Sequence, residues 1–332
     1  MVLLEKAELF ERVRLAFQSS GWGLVFDSPV AEHPFRVTVF KESVSHSLIV
    51  YIWNLTHGGG EARPADEVRI QLTGVTPPLR IEAARLTLLL GWSEDIGVFA
   101  AFDARRHQVF STHSPSIQIK RGNIEAAVRG GISFYPRGNA EMALALSPDM
   151  LPEYVSRQAA FHDYGDIPSE VELLGAAGAG EPVPAEVVAQ LPPERRTTVT
   201  AVSRLAREST FRVRVLRAYK NSCAACGMQL GLVQAAHIVP VPVPGSSDET
   251  SNGLAFCPMH HLGYDAALLA VHPSYAVLVS RARLATLESN NLAGGVERFS
   301  AVAQTILLPD ALSDRPRPEY LQRAMEIRGF EA

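Results

Sequence analysis

The segments NSCAACG (221–227), VQAAHIVP (233–240) and TSNGLAFCPMHHLGYD (250–265) decide how the chain is read. Cys223, Cys226, Cys257 and His260 follow the pattern C-x2-C and then C-x2-H, with 30 residues between the two halves. That is the ligand set of a closed tetrahedral zinc site, three thiolates and one imidazole. The chain has 3 cysteines and all are used in this pattern, which argues for metal rather than a disulfide framework. The insert between the halves carries a strand ending at His237, a loop, and a second strand at Leu254–Phe256. Pro258 then opens a helix, expected over 258–268, because proline is favoured at a first helical position. An element this small lacks a core of its own, so zinc has to supply much of its folding free energy, on the order of 10 kcal/mol.

Interleaved with the four ligands are His237, Asn252 and His261, which a filled four-ligand site leaves free. Phosphodiester hydrolysis needs a deprotonated water, a Lewis acid on the phosphate and a stabilised leaving oxygen. A neutral imidazole at the end of a strand, such as His237, suits the first task. His261 is adjacent to His260, and neighbours on a helix point about 100° apart, so one ring can face the zinc while the other faces a cleft. Asp265 lies four residues on, on the same helical face as His261. The two offer an open site for Mg2+ or Mn2+. Asn252 is expected to orient the His237 ring or its loop. His272, before Pro273, reads as a turn residue.

Working outward, Arg195 to Lys220 holds Arg195, Arg196, Arg204, Arg207, Arg212, Arg214, Arg217 and Lys220 against the single acid Glu208. On the expected helix 197–219 this run is either a solvated face or a phosphate-tracking surface, and its place beside the metal site favours the second. The net charge of −4 by itself says nothing for nucleic acid. After the zinc stretch come a hairpin around Pro273-Ser274 and a final helix in PRPEYLQRAMEIRGF.

The pattern FRVRVLRAYKNSCAACG…AAHIVP…SNGLAFCPMHHLGYDAALLAV resembles the HNH endonucleases, whose fold is the ββα-metal motif, over about residues 204–280. The resemblance implies that His237 is the general base, Asn252 the middle residue and His261 a ligand of the catalytic metal. Ala236 stands where many relatives carry a second ligand, and Gln234 where an acid is frequent, which leaves Asp265 or a water to complete the site.

Upstream, 3–19 reads as an amphipathic helix. It is followed by strand-like segments rich in β-branched and aromatic residues at PFRVTVF, SLIVYIWNL, EVRIQLTG, LTLLLGW and GVFAAFDA. A short helix is expected over 122–130 and a longer one over 148–161. The HGGG at 57–60 has no G-x-S-x-G to accompany it and reads as a turn. The expected fold class is α+β: a mixed antiparallel-sheet domain over 1–165, a small-residue and proline-rich linker over 166–193 with one helical turn around Ala185–Gln190, and a zinc-stapled nuclease domain over 194–332. Trp22, Trp53 and Trp92 lie in the first domain, as do Arg105 and Arg106 at the head of a basic stretch that contains one acid, Glu125. An aromatic pocket with a basic edge is one way to read a flipped or modified base. The first domain is therefore expected to select the DNA.

A hydrophobic content of 47% with 20% charged residues is ordinary for a globular protein, and no run of about 18 apolar residues suggests a membrane span. Glutamates in the first turns do not suit a signal peptide, so the cytoplasm is expected. The leading expectation is a bacterial restriction or defence endonuclease that cuts double-stranded DNA as a homodimer. Two alternatives are a nuclease gated by a small signalling ligand and an inactive zinc-stapled DNA-binding protein.

Overall fold

The computed structural model describes residues 3–27, 32–57, 64, 66–110, 115–138, 141–164 and 167–330. Gly58–Gly60 of the expected turn lie outside the described residues. The chain divides into two compact units, Met1–Ser209 and Thr210–Ala332.

In the first unit, α1 (Lys6–Ser19), β1 (Gly23–Phe26), β2 (Phe35–Lys41), β3 (Val44–Asn54) and β4 (Glu67–Gln71) come first. β5 (Leu86–Ser93), β6 (Val98–Phe102), β7 (Ser116–Lys120), α2 (Arg121–Gly130), β8 (Ile132–Gly138) and β9 (Glu141–Leu146) follow. The main sheet has the order β1-β2-β3-β5-β6-β9-β8. Its pairs are antiparallel except β3 with β5, which is parallel, so the sheet is mixed rather than wholly antiparallel. β3 and β5 read as continuous apolar runs because both their faces are covered. Val50, Ile52, Leu88 and Leu90 face one core, and Ile49, Tyr51, Trp53 and Leu89 face the other. The first core is closed by α1, by α3 (Leu151–His162) and by α4 (Pro168–Gly178). The second is closed by the two-stranded β4–β7 ladder and α2.

The linker expected over 166–193 is instead structured. It holds α4 and α5 (Ala185–Gln190), and Leu174 and Ala177 are fully buried in the first core. Ala177 and Gly178 of this stretch serve close packing. A Cβ on Gly178 would stand 2.7 Å from the Ile132 carbonyl oxygen, and one on Gly130 would stand 2.1 Å from the Gly178 oxygen. The unit boundary accordingly falls at 209/210, inside α6 (Pro193–Ala218).

The second unit contains the end of α6, β10 (Gln234–His237), β11 (Gly253–Phe256) and α7 (Pro258–Asp265). β12 (Leu269–Val271), β13 (Val277–Val279), α8 (Arg281–Ser289), α9 (Val296–Ser300) and α10 (Pro318–Ile327) complete it. β10 and β11 pair antiparallel with His237 opposite Gly253, and α7 follows directly, a ββα unit. Its core joins Phe211, Val215, Ile238, Leu254, Phe256 and Tyr264 to Leu321 of α10. Among the described residues, no helix is long and apolar enough to cross a membrane.

Candidate metal centre and nuclease site

Cys223, Cys226, Cys257 and His260 come together, with ligand atoms all within 4.8 Å of one another. The Nδ1 atom of His260 lies 3.5 Å from Cys223 Sγ and 3.3 Å from Cys257 Sγ. Those separations suit the edges of a tetrahedron whose Zn–S bonds are about 2.3 Å. The other ring nitrogen, Nε2, faces the Phe299 carbonyl oxygen at 3.3 Å. Such an outer contact fixes the tautomer and leaves Nδ1 free to bind metal. Burial first, and the adjoining Cys223 and Cys257 sulfurs after it, push the Cys226 thiol up to about 12. Crowded thiols of this kind hold their protons until a cation replaces them. The donor set fits zinc.

The knuckle is tied at both ends. Cys223 N–H donates to the Met228 carbonyl at 2.8 Å, and Ala224 N–H to that of Ala255 at 2.7 Å. Ala303 and Leu307 donate to the carbonyls of Ala225 and Ala224, so the segment before α10 edges the metal centre.

His237 ends β10, and two contacts fix its ring. It stacks on Phe211 with centroids 3.8 Å apart at 10°, and its Nε2 lies 3.0 Å from Asp248 Oδ1. Asp248 belongs to the loop between the strands and carried no signal in the sequence beyond its proximity to Asn252. Asn252 is 0% exposed. Its Oδ1 accepts from Val239 N–H at 2.9 Å, while Nδ2 donates to the carbonyls of Val239 at 3.1 Å and Ser247 at 2.8 Å. The amide orients the loop and not the ring.

His261 and Asp265 share a face of α7, with Nε2 3.7 Å from Oδ2. The other nitrogen of His261, Nδ1, is 2.7 Å from Gln234 Oε1, so Gln234 serves as the outer partner of this ring. Burial holds the His261 imidazole below its ordinary range; Asp265 opposes that shift and Arg328 adds to it. Arg328 carries no local signal in the sequence. Its side chain is only 11% exposed, and the guanidinium lies 4.2 Å from the Tyr264 ring centroid with Nη2 3.8 Å from Asp265 Oδ1. Nη1 of the same group donates to the Ile238 carbonyl at 2.9 Å. Ala236 is buried in the core, and His272 caps its turn through Ser274.

The basic residues divide. In the second unit Arg214 and Arg217 are exposed, Arg214 donating to the Asp248 carbonyl, and Arg212 is partly exposed. Lys220 pairs with Asp310 at 2.9 Å. In the first unit Arg204 and Arg207 are exposed. Arg105 is already answered by Asp103 at 2.9 Å and Asp163 at 2.7 Å, and Arg106 faces Asp103 at 3.6 Å. Both acids lie outside the stretch Arg105–Arg137, whose one acid is Glu125.

Residues 223–272 match the HNH endonuclease family model. Residues 46–155 match the model of the methylase-associated X1 domain. No curated protein matches the chain. Among solved structures it is similar to a modification-dependent TagI restriction endonuclease, at 14% identity over 85% of this chain and 81% of that one, with a TM-score of 0.30.

Proposed function

We propose that this HNH nuclease is a metal-dependent DNA endonuclease of restriction type, with the Met1–Ser209 unit selecting the site to be cut. The observation that carries the reading is the division of labour inside the ββα unit. Four side chains close one metal centre, while His237, His261 and Asp265 stay outside it on neighbouring elements. His237 is the base: held by Phe211, it takes a proton from the attacking water. His261 Nε2 and Asp265 would hold a magnesium or manganese ion, with Gln234 fixing the imidazole tautomer. Such an ion, when bound, polarises the scissile phosphate and neutralises the leaving oxygen. Two protein ligands are few, as expected where the substrate phosphate and waters fill the remaining positions. Arg212, Arg214, Arg217 and Lys220, with Arg204 and Arg207, grip backbone phosphates without reading bases.

The methylase-associated domain at 46–155 supports a partnership with base modification, so the selecting unit would respond to the methylation state of the duplex. Cutting both strands with one such site per chain calls for two copies, and a homodimer on DNA is expected by light scattering.

The deciding experiment compares wild type with His237→Ala on unmodified and cytosine-modified plasmid, with magnesium, manganese or nickel supplied. The wild type nicks at least one substrate, and the variant loses on the order of 10²–10⁴-fold in rate. If both proteins bind DNA alike and neither cuts under any metal, the chain is a binding module and not an enzyme.

A further inference from the structure

We infer that Asp248 is the positioning residue of His237, and that the buried Asn252 acts on the base through it. This rests on the nuclease reading for its consequence and on the geometry of the loop for its substance.

The His237 ring has one face on Phe211 and its Nε2 on the Asp248 carboxylate at 3.0 Å. A carboxylate can only accept, so Nε2 carries the proton and Nδ1 is the nitrogen that keeps a lone pair. The stack sets the plane of the ring, and the carboxylate sets its rotation within that plane. Together they aim one nitrogen, and a base defined in this way needs no reorganisation when water arrives.

The carboxylate is itself held by its backbone. Asn252 Nδ2 donates to the Ser247 carbonyl at 2.8 Å, and the Ser247 hydroxyl meets the Tyr320 hydroxyl at 3.0 Å. Arg214 donates to the Asp248 carbonyl itself. Three places in the fold therefore converge on two residues of one loop: the turn before β11 through Asn252, α10 through Tyr320 and α6 through Arg214. The side-chain hydrogen bonds of the middle residue of the His-Asn-His set go to the loop and not to the base, and they fix the peptide that presents the base's partner.

Few other charges compete around the ring. From α6 Arg214 is committed to the loop carbonyl. In the loop Glu249 pairs with Arg317 at 2.8 Å. From the end of α10 Arg328 holds the Ile238 carbonyl and leans toward Asp265.

The proton bookkeeping is simple. Water gives a proton to Nδ1 as its oxygen bonds to phosphorus, the bond from phosphorus to the leaving oxygen breaks with its electron pair on that oxygen, which takes a proton from solvent, and the imidazolium shares its positive charge with Asp248. The proton returns to solvent when the product leaves.

The test is nuclear magnetic resonance of the histidine rings in the full-length zinc-loaded protein, run beside DNA cleavage rates. In wild type the neutral His237 ring is expected as the Nε2–H tautomer. With Asp248→Ala the ring loses the acceptor that fixes its proton on Nε2, and the Nδ1–H tautomer becomes populated. The cleavage rate falls on the order of tenfold or more. Asp248→Glu recovers part of both. Glu249→Gln, which removes the neighbouring carboxylate, leaves the His237 tautomer where it was.

An Nδ1–H tautomer in wild type overturns the inference without any variant, and so does a tautomer that ignores Asp248→Ala. The ring measurement stands whether or not DNA is cut. A wild type that shows the pairing but never cleaves therefore counts against the nuclease reading and not against the pairing.

Discussion

Asn252 shows how much one buried amide can hold. It answers one N–H and two carbonyls of the loop that runs from Val239 to Ser247, and no water reaches it. Asn252→Ala would strip the Val239 N–H and the Ser247 carbonyl of their partner and leave the Val239 carbonyl to the Ser246 hydroxyl at 2.8 Å. A stability loss on the order of 3 kcal/mol is expected, together with loss of cleavage, because the loop that presents Asp248 comes free. Asn252→Asp keeps the size but faces two carbonyl oxygens with a carboxylate, and should be no better. Chemical denaturation of both variants beside wild type checks this, and near-native stability in either would contradict it. In the first unit His33 is the residue to watch. Burial first, and the Lys6 charge second, hold its imidazole down to about 3. Its Nε2 accepts from Ile52 N–H at 3.1 Å, which a protonated ring could not do. The unfolded chain binds this proton near pH 6.5 and the folded one does not, so stability falls as pH drops from about 6.5 toward 3. His33→Gln, whose amide oxygen can accept from Ile52, should flatten that slope in pH-dependent melting of the full chain.

At the scale of elements, the site depends on how closely α6 lies on β11. Gly253 stands opposite His237, and a Cβ there would sit 2.3 Å from Val215 and 3.1 Å from Phe211, the residue that stacks on the base. Gly253→Ala is expected to push the helix away, costing about 1–3 kcal/mol by overpacking and lowering cleavage with it. Val215→Ala in the same chain makes room and should restore a good part of both. Full activity in the single variant would show that the close approach does not matter. These elements also mark what the sequence could convey. The zinc pattern, Pro258 and the run before Val239 pointed to the ββα unit because each is a local signal with one physical meaning. Arg328 and Asp248 gave no such signal, since their roles arise only when α10 and the loop fold back on β10. The stretch 166–193 misled for a related reason: glycine and alanine mark both flexible chain and tight packing, and only the neighbour, here β8, tells the two apart.

The whole molecule consists of two units that differ in what sustains them. Met1–Ser209 has a two-faced sheet with a core on each side, whereas Thr210–Ala332 gathers one core around short strands and a metal centre. Of the three thiols, Cys223 and Cys257 are wholly buried and Cys226 alone is exposed. Stripping zinc with a chelator leaves these sulfurs crowded in a folded state that has lost its cross-link. Structural zinc is worth on the order of 10 kcal/mol in isolated fingers, which is comparable to the whole stability of a domain. The expected result is that Thr210–Ala332 unfolds and the first unit does not. Limited proteolysis of the chelated full chain should then cut between 210 and 330 and leave a fragment near 1–209, with all three thiols reacting freely. Zinc added back should restore protection and release protons, since the cation displaces those that Cys226 otherwise holds up to about 12. Apparent zinc affinity accordingly rises with pH. If the chelated chain keeps its resistance to protease between 210 and 330 and its buried thiols stay unreactive, the apolar core around Phe211, Leu254 and Tyr264 is sufficient alone, and the metal is an ornament of the fold and not its staple.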